Sequence, residues 1–324
     1  MISSLFRVTD VLAGRGHELV VLSDIAEPGT TAAGVHWVHE PPAGRFDALV
    51  LNRGVGDGYP LIEARRRVLW THDLPHAGFV PDKRTLRAID QVVFMSRYAE
   101  AVWRCFYPDI GRSLCIPNGV DRDIFKPDPS KDLKYLIYAS APNRGLKRLP
   151  LIFDALKAKL PGRDLKLRAY SDLARLHPNE VRDEQQDGFA LDYQACEAVG
   201  IERLEPVPQP ALGRELGRAG LMLLPTDYPE ICSNIVLQSL ACGTPIVTTG
   251  GIGSATEWIR HGVNGWLTRY QPVDYMVHSV EMIRAAEAIL GDAARQQRMI
   301  KAAARTPLLS WEEVGKRWER LLNR

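Results

Sequence analysis

The sequence predicts an α/β fold of two Rossmann-like domains, and three observations carry that prediction. Short β-branched, apolar runs alternate with longer helical patterns along the chain, the mark of an open parallel sheet wound through right-handed crossovers. The alternation occurs twice, in halves separated by the polar, proline-bearing stretch Lys126-Pro127-Asp128-Pro129-Ser130-Lys131-Asp132, which reads as a linker. A length of 324 residues is too great for one average domain and comfortable for two. The expected domains are residues 1–126 and 132–308, facing each other across a cleft, with segment 309–324 crossing back to the first.

In the first half, strands are expected at Leu19–Leu22, Ala48–Leu51, Val68–Trp70 and Gln91–Phe94, because continuous apolar runs suit strands buried on both faces of a parallel sheet. Ile62–Arg67 and Arg97–Phe106 read as helical stretches between them. The opening is irregular. Met1 to Phe6 leads straight into a first helix that ends near Ala13-Gly14-Arg15-Gly16, so the leading strand and glycine-rich turn usual in such a domain are expected to be missing. In the second half, strands are expected at Tyr135–Tyr138, Leu165–Tyr170, Leu221–Leu224 and Pro245–Thr248. The last helix, Trp311 to Leu322, is amphipathic and follows Ser310, a good N-cap ahead of Glu312 and Glu313.

Composition narrows the function classes. Hydrophobic content of 45% with 25% charged residues is that of a soluble globular protein, and a net charge of +2 gives no strong field toward nucleic acid. The dense run Arg65-Arg66-Arg67 reads as a solvated helix end or as a contact for anionic lipid or acceptor phosphate. Five cysteines without a CxxC pair argue against a disulfide framework and a zinc site. No apolar stretch reaches bilayer length, and the N-terminus lacks a basic-then-apolar signal. The expectation is a cytoplasmic enzyme, with peripheral contact at the inner face of a membrane left open.

The segment richest in chemistry is Leu223-Leu224-Pro225-Thr226-Asp227-Tyr228-Pro229-Glu230, continued by Ile231-Cys232-Ser233-Asn234 and closed by Ala241-Cys242-Gly243-Thr244-Pro245. Here a strand delivers a carboxylate at its C-terminal end, a small-residue turn follows and a helix begins. Open α/β sheets bind ligands at that edge. The helix N-terminus supplies unpaired N–H groups and a partial positive charge suited to a phosphorylated or hydroxyl-rich ligand. Glu230 and Gln238 are eight positions apart, about two helical turns, and are placed to face one site. The bland alternative is a plain strand–turn–helix unit with a surface glutamate.

This stretch resembles the E-x7-E signature of the retaining glycosyltransferase family 4, the group 1 glycosyltransferases of GT-B fold. Glu230 matches the first Glu, Gly243 and Pro245 match the closing turn, and Gln238 stands where the family has its second Glu. The resemblance implies that Glu230 lies at the donor sugar and position 238 at the ribose hydroxyls. It implies a donor site that includes Ile231, Cys232, Ser233 and Asn234. His72 in Trp70-Thr71-His72-Asp73 falls where the family has a strand-end histidine near donor and acceptor, although a lone His is more often structural. Arg144 in Ala141-Pro142-Asn143-Arg144-Gly145 looks like the family's basic residue that grips the diphosphate, with Lys147 or Arg148 adding charge. Its alternative is a residue that merely caps a helix entrance. The family's additional arginine a few positions earlier is absent from Tyr138-Ala139-Ser140. Asn118-Gly119 resembles the approach to the interdomain crossover and is also a tight-turn dipeptide. Gly250 to Leu267 resembles the family's Gly-Gly and Gly-x-Asn-Gly segment.

The resemblance thus implies transfer of a sugar from a nucleoside-diphosphate donor to a carbohydrate, lipid-linked or small-molecule acceptor. It implies retention of configuration, with no metal and no cofactor beyond the donor. Glu230 and His72 are the catalytic candidates, and Arg144, Lys147, Ile231, Cys232, Ser233, Asn234 and Gln238 the donor-binding ones. The rival is a catalytically silent GT-B-fold protein that binds sugar or nucleotide. A phosphorylase of similar architecture would carry a richer basic cluster.

Overall fold

The computed structural model describes residues 2–23, 27–53, 62–75, 83–172, 188–269 and 275–323. The chain divides into two compact α/β units: residues 1–119 with 309–324, and residues 120–308. We refer to them as unit 1 and unit 2.

Unit 1 opens with helix α1 (Ile2–Ala13) and continues with strands β1 (Leu19–Leu22), β2 (Gly29–Thr30), β3 (Val35–Val38), β4 (Arg45–Asn52) and β5 (Glu63–Trp70). Helix α2 (Lys83–Arg87), β6 (Gln91–Phe94), helix α3 (Arg97–Phe106) and β7 (Ser113–Cys115) follow. A helix therefore stands ahead of the first strand, as the sequence predicts. The strands form two sheets, β1-β3-β2 and the parallel β4-β5-β6-β7. Among the described residues β1 pairs only with β3, and β4 only with β5.

One sequence expectation is corrected here. Ile62–Arg67 is not helical: β5 spans Glu63–Trp70 and pairs in parallel with β4, from Arg45 opposite Glu63 to Asn52 opposite Trp70. Arginine is a good helix former, but propensity is a weak prior when a neighbouring strand offers a continuous ladder. The arginine run is accordingly no helix end. Its middle member, Arg66, donates to the carbonyl of Leu321 at 2.5 Å, satisfying an orphan acceptor in the last turn of the C-terminal helix.

That helix, α10 in our numbering (Trp311–Leu322), packs on α1 within unit 1. Ser310 and Glu313 form a reciprocal capping box, which satisfies two N-terminal donors. Val314, Gly315, Trp318 and Leu321 are buried. Trp318 lies 4.8 Å from the Trp70 ring at the end of β5, and Gly315 meets Val11 of α1 so closely that a Cβ has no room. Arg15 joins Glu319 and Glu312 across the rim. Asn118-Gly119, expected as a tight turn, runs without one. Gly119 is needed for another reason, since a Cβ would come within 2.7 Å of the Trp311 backbone nitrogen.

Unit 2 is one sheet of six parallel strands: β8 (Asp132–Ala139), β9 (Lys166–Tyr170), β10 (Glu202–Leu204), β11 (Ala219–Leu224), β12 (Ile246–Thr249) and β13 (Gly265–Thr268). Its helices are α4 (Leu149–Lys159), α5 (Ala190–Ala198), α6 (Gln209–Arg218), α7 (Asn234–Ala241), α8 (Tyr275–Leu290) and α9 (Ala293–Ala304). The strand order is β10-β9-β8-β11-β12-β13. Numbered from the unit's own first strand that is 3-2-1-4-5-6, the doubly wound order whose switch point lies between strands 1 and 4. Every residue of β11 and β12 is buried, so the centre of this sheet is covered on both faces.

Candidate functional site

The switch point lies between β8 and β11, and the chain leaves both strands with the residues that the sequence singles out. After β8, Pro142–Arg144 form a 3-10 turn that ends at Gly145 in the left-handed region, with φ +98°. A Cβ at Gly145 would collide with the Pro225 carbonyl. The loop after β8 is thereby pressed against the loop after β11, and only glycine allows the contact. The loop after β12 closes the third side. Gly253, with φ +67°, leaves under 3 Å between a hypothetical Cβ and the Glu230 backbone, and Ser254 N–H donates to the Glu230 carbonyl at 2.8 Å.

Its own loop and the loop after β12 thus hold the Glu230 backbone, and its side chain meets Arg144 of the loop after β8. Arg144 Nε donates to Glu230 Oε1 at 2.6 Å, and its guanidinium lies 3.4 Å from the centre of the Tyr228 ring. Arg144 is therefore neither a helix cap nor a free phosphate ligand in this state. It is a charge held in place by a carboxylate on one side and an aromatic face on the other.

A second pair lies beneath the first. Arg148 is 5% exposed. It donates to Asp227 Oδ2 at 2.8 Å and to the Pro225 carbonyl at 3.2 Å. Burial pushes the Asp227 carboxyl up, but the hydrogen bond and charge of Arg148 outweigh it and hold the group below its ordinary value. Arg148 is thus committed to bracing the Pro225–Asp227 turn, and the diphosphate role offered for it as an alternative to Lys147 is not open in this geometry. Lys147 is exposed, 5.9 Å from the centre of the Tyr275 ring. The Tyr275 hydroxyl donates to the Lys147 carbonyl at 2.6 Å.

Ile231 is half-buried and Cys232 and Ser233 are buried where the chain turns into α7. Ser233 is the N-cap residue of α7, but its hydroxyl makes no capping hydrogen bond. Asn234 is the first residue of the helix, and Gln238 begins its second turn, half-buried.

His72 belongs to unit 1. It follows β5, is 5% exposed, and has no hydrogen-bond partner at either ring nitrogen among the described residues. Its ring lies against Trp70, with centroids 4.5 Å apart. Burial first, and then nearby positive charge that includes Arg53, lowers its pKa to about 3. Next to it Asp73 is clamped by Arg53 at 2.5 and 3.1 Å, and its carbonyl accepts from Trp103 Nε1 at 2.9 Å.

Sequence reasoning passed over the burial of Arg148 and the stacking role of Tyr228. The first had a signal. Arg148 shares the helix-spaced stripe of Leu149, Ile152, Phe153 and Leu156, all buried, and a charge at a core position requires a partner. Tyr228 carried none, because its contact to Arg144 crosses between two loops far apart in sequence.

Residues 134–292 match the family described as glycosyl transferases group 1. Unit 2 carries a group 1 glycosyltransferase domain. Among relatives, the D-inositol 3-phosphate glycosyltransferase of Nocardiopsis dassonvillei is 26% identical over 189 residues, 53% of this chain and 42% of that protein. The GDP-mannose-dependent alpha-(1-6)-phosphatidylinositol monomannoside mannosyltransferase of Mycolicibacterium smegmatis is 27% identical over 271 residues, 77% of this chain and 67% of that one. The chain thus spans less than half the length of the first of these relatives. In fold, the sucrose-phosphate synthase of Thermosynechococcus elongatus superposes with a TM-score of 0.75 at 16% identity, over 98% of this chain and 92% of that one. Such likeness bears on fold alone, and it agrees with two Rossmann-like units. In this group 1 domain, Glu230 and Arg144 stand at the strand ends where the doubly wound order places ligands.

Proposed function

We propose that the protein transfers a sugar from a nucleoside-diphosphate sugar to a carbohydrate or lipid-linked acceptor. The observation that carries the reading is the meeting of Glu230 and Arg144 at the switch point of a group 1 glycosyltransferase domain. A retaining, metal-independent reaction is the form best matched to these side chains.

On this reading the donor diphosphate lies over the N-terminus of α7, where Ser233, Asn234 and the first backbone N–H groups face it. Arg144 exchanges part of its bond to Glu230 for phosphate oxygens, and exposed Lys147 adds a second cation. Glu230, released from Arg144, accepts hydrogen bonds from the sugar. The bond between the anomeric carbon and the phosphate oxygen breaks, and the nucleoside diphosphate leaves with the electron pair. The acceptor oxygen bonds to the anomeric carbon, and its proton passes to the departing phosphate. Catalysis is then positioning and charge stabilisation by fixed groups. Gln238 takes the ribose hydroxyls through neutral hydrogen bonds. His72, uncharged throughout the physiological range, is assigned a hydrogen bond to a sugar hydroxyl and no role as a cation.

The test is release of nucleoside diphosphate from a panel of UDP-, GDP- and ADP-sugars, with and without a chelator. Turnover on one donor that survives chelation supports the reading. Tight binding of a donor with no turnover on any acceptor would establish the silent binding protein instead.

A further inference from the structure

A basic groove lies at the other edge of the unit 2 sheet. Gln296 of α9 donates to the carbonyls of Leu133 and Gly220, at the start of β8 and β11. Gly265, which lines up with Ile246 at the start of β12, follows the loop that forms the opposite wall. The groove therefore opens where the strands begin, on the far side of the sheet from Glu230 and Arg144. Its volume is about 510 Å³.

Four cations and one carboxylate, Glu257, line it, so positive charge prevails. Arg298, Lys301 and Arg305 recur at helical spacing along one exposed face of α9 and its C-cap, while Gln296, Met299 and Ala303 face the core. Arg260 comes from the opposite wall together with Trp258 and Val263. All four cations are exposed, and none enters an ion pair with a described residue. The α9 dipole accounts for basic residues in its last turn. It accounts neither for Arg298 earlier in the helix nor for Arg260 across the groove.

The floor is built rather than incidental. Asn264 is 3% exposed. Its amide donates to the Trp258 carbonyl and to Thr306 Oγ1, each at 2.9 Å, and its oxygen accepts from Arg260 N–H at 2.7 Å. One buried side chain thereby ties the loop that carries Arg260 to the segment that follows Arg305. The two walls are held before any ligand arrives, which lowers the cost of ordering them on binding.

We propose that this groove binds a small soluble molecule bearing two or more phosphate groups, at a site separate from the donor site. Three guanidinium forks match phosphate oxygens bidentately. Cations on both walls of a concave site suit a ligand held within it, whereas a bilayer touches only residues that protrude.

The test titrates the full chain with inorganic tripolyphosphate by calorimetry, beside the double variant Arg298→Ala/Arg305→Ala and, separately, Arg144→Ala. The double variant is expected to weaken one tripolyphosphate event on the order of thirtyfold and to leave nucleoside-diphosphate binding within about twofold. Arg144→Ala is expected to retain the groove event. Lys301→Gln is a milder change that should weaken the same event by roughly fivefold. Raising the salt from 50 to 200 mM should weaken it further. Unchanged tripolyphosphate binding in the double variant would overturn the proposal. So would binding to phosphatidylglycerol vesicles that these substitutions abolish but tripolyphosphate does not compete, since that assigns the groove to a membrane.

Discussion

The two units share a chain-wide rhythm of strand and helix but differ in how completely they close upon themselves. In unit 2 one six-stranded sheet runs without a break, and its central strand β11 is buried at every residue. In unit 1 the strands divide into two sheets, and β1 is only half-buried along its whole length. The charged groups at the two candidate sites differ too, although Arg148 Nε and Ser254 Oγ in unit 2 are also buried without partners among the described residues. Glu230, Arg144, Asp227 and Arg148 in unit 2 pair with one another. Around His72 in unit 1, the Trp70 and Trp318 indole nitrogens, the Thr71 hydroxyl and both His72 nitrogens are buried without partners among the described residues. An unsatisfied buried donor or acceptor costs about 1–3 kcal/mol. The difference teaches where precision is kept: a continuous sheet brings three loops to one edge and locks them, while unit 1 relies on α10 to cover what its own strands leave open.

The most severe way to break the comparison is to remove that cover. Trp318→Ala takes a side chain that is 1% exposed out of the contact with Trp70 and should destabilise unit 1 by about 3–5 kcal/mol. Amide hydrogen exchange reads the outcome. Protection should fall in β4 to β6 and persist in β8, β11 and β12, and equal loss in both units would mean that they do not differ in this way.

Glu230→Ala tests whether the locked edge is the reacting one. Turnover should drop by on the order of 10²–10³-fold, while nucleoside-diphosphate affinity changes far less, because the contact proposed for Glu230 is to the sugar. Equal loss of both would put Glu230 in the wrong subsite.

Acid sharpens the contrast at His72. Its folded pKa is about 3, below the ordinary 6.5, so the unfolded chain takes up the proton first. Stability is therefore unaffected above pH 6.5 and falls as the pH drops from 6.5 toward 3, by up to about 1.4 kcal/mol per unit. His72→Phe should flatten that limb of the stability profile without loss at neutral pH. An unchanged limb would show that His72 is not the group responsible.

The smallest expected effect is at Gln238. A carboxylate there accepts charge-assisted hydrogen bonds from a diol, whereas an amide makes neutral ones, a difference on the order of 1–2 kcal/mol. Gln238→Glu should tighten nucleoside-diphosphate binding by roughly tenfold, and Gln238→Leu should loosen it. Calorimetry that finds neither change would remove Gln238 from the ribose site.

Much of this was determined by the sequence alone. Continuous apolar runs specify buried parallel strands whatever surrounds them, so β6 and the cores of β8 and β11 were legible. A polar cap ahead of an amphipathic pattern marks a helix start locally, so Ser310 and α10 were legible too, as was Glu230 at a strand end. The arginine run of β5 was not, because its conformation is decided by the ladder that β4 provides and not by its own propensity. Nor was the bond between Arg144 and Glu230, whose partners are 86 positions apart and meet only because Gly145 and Gly253 let three loops touch. Periodicity and capping act within a few residues. The pairing of charges across loops depends on which strands become neighbours, and only the folded sheet decides that.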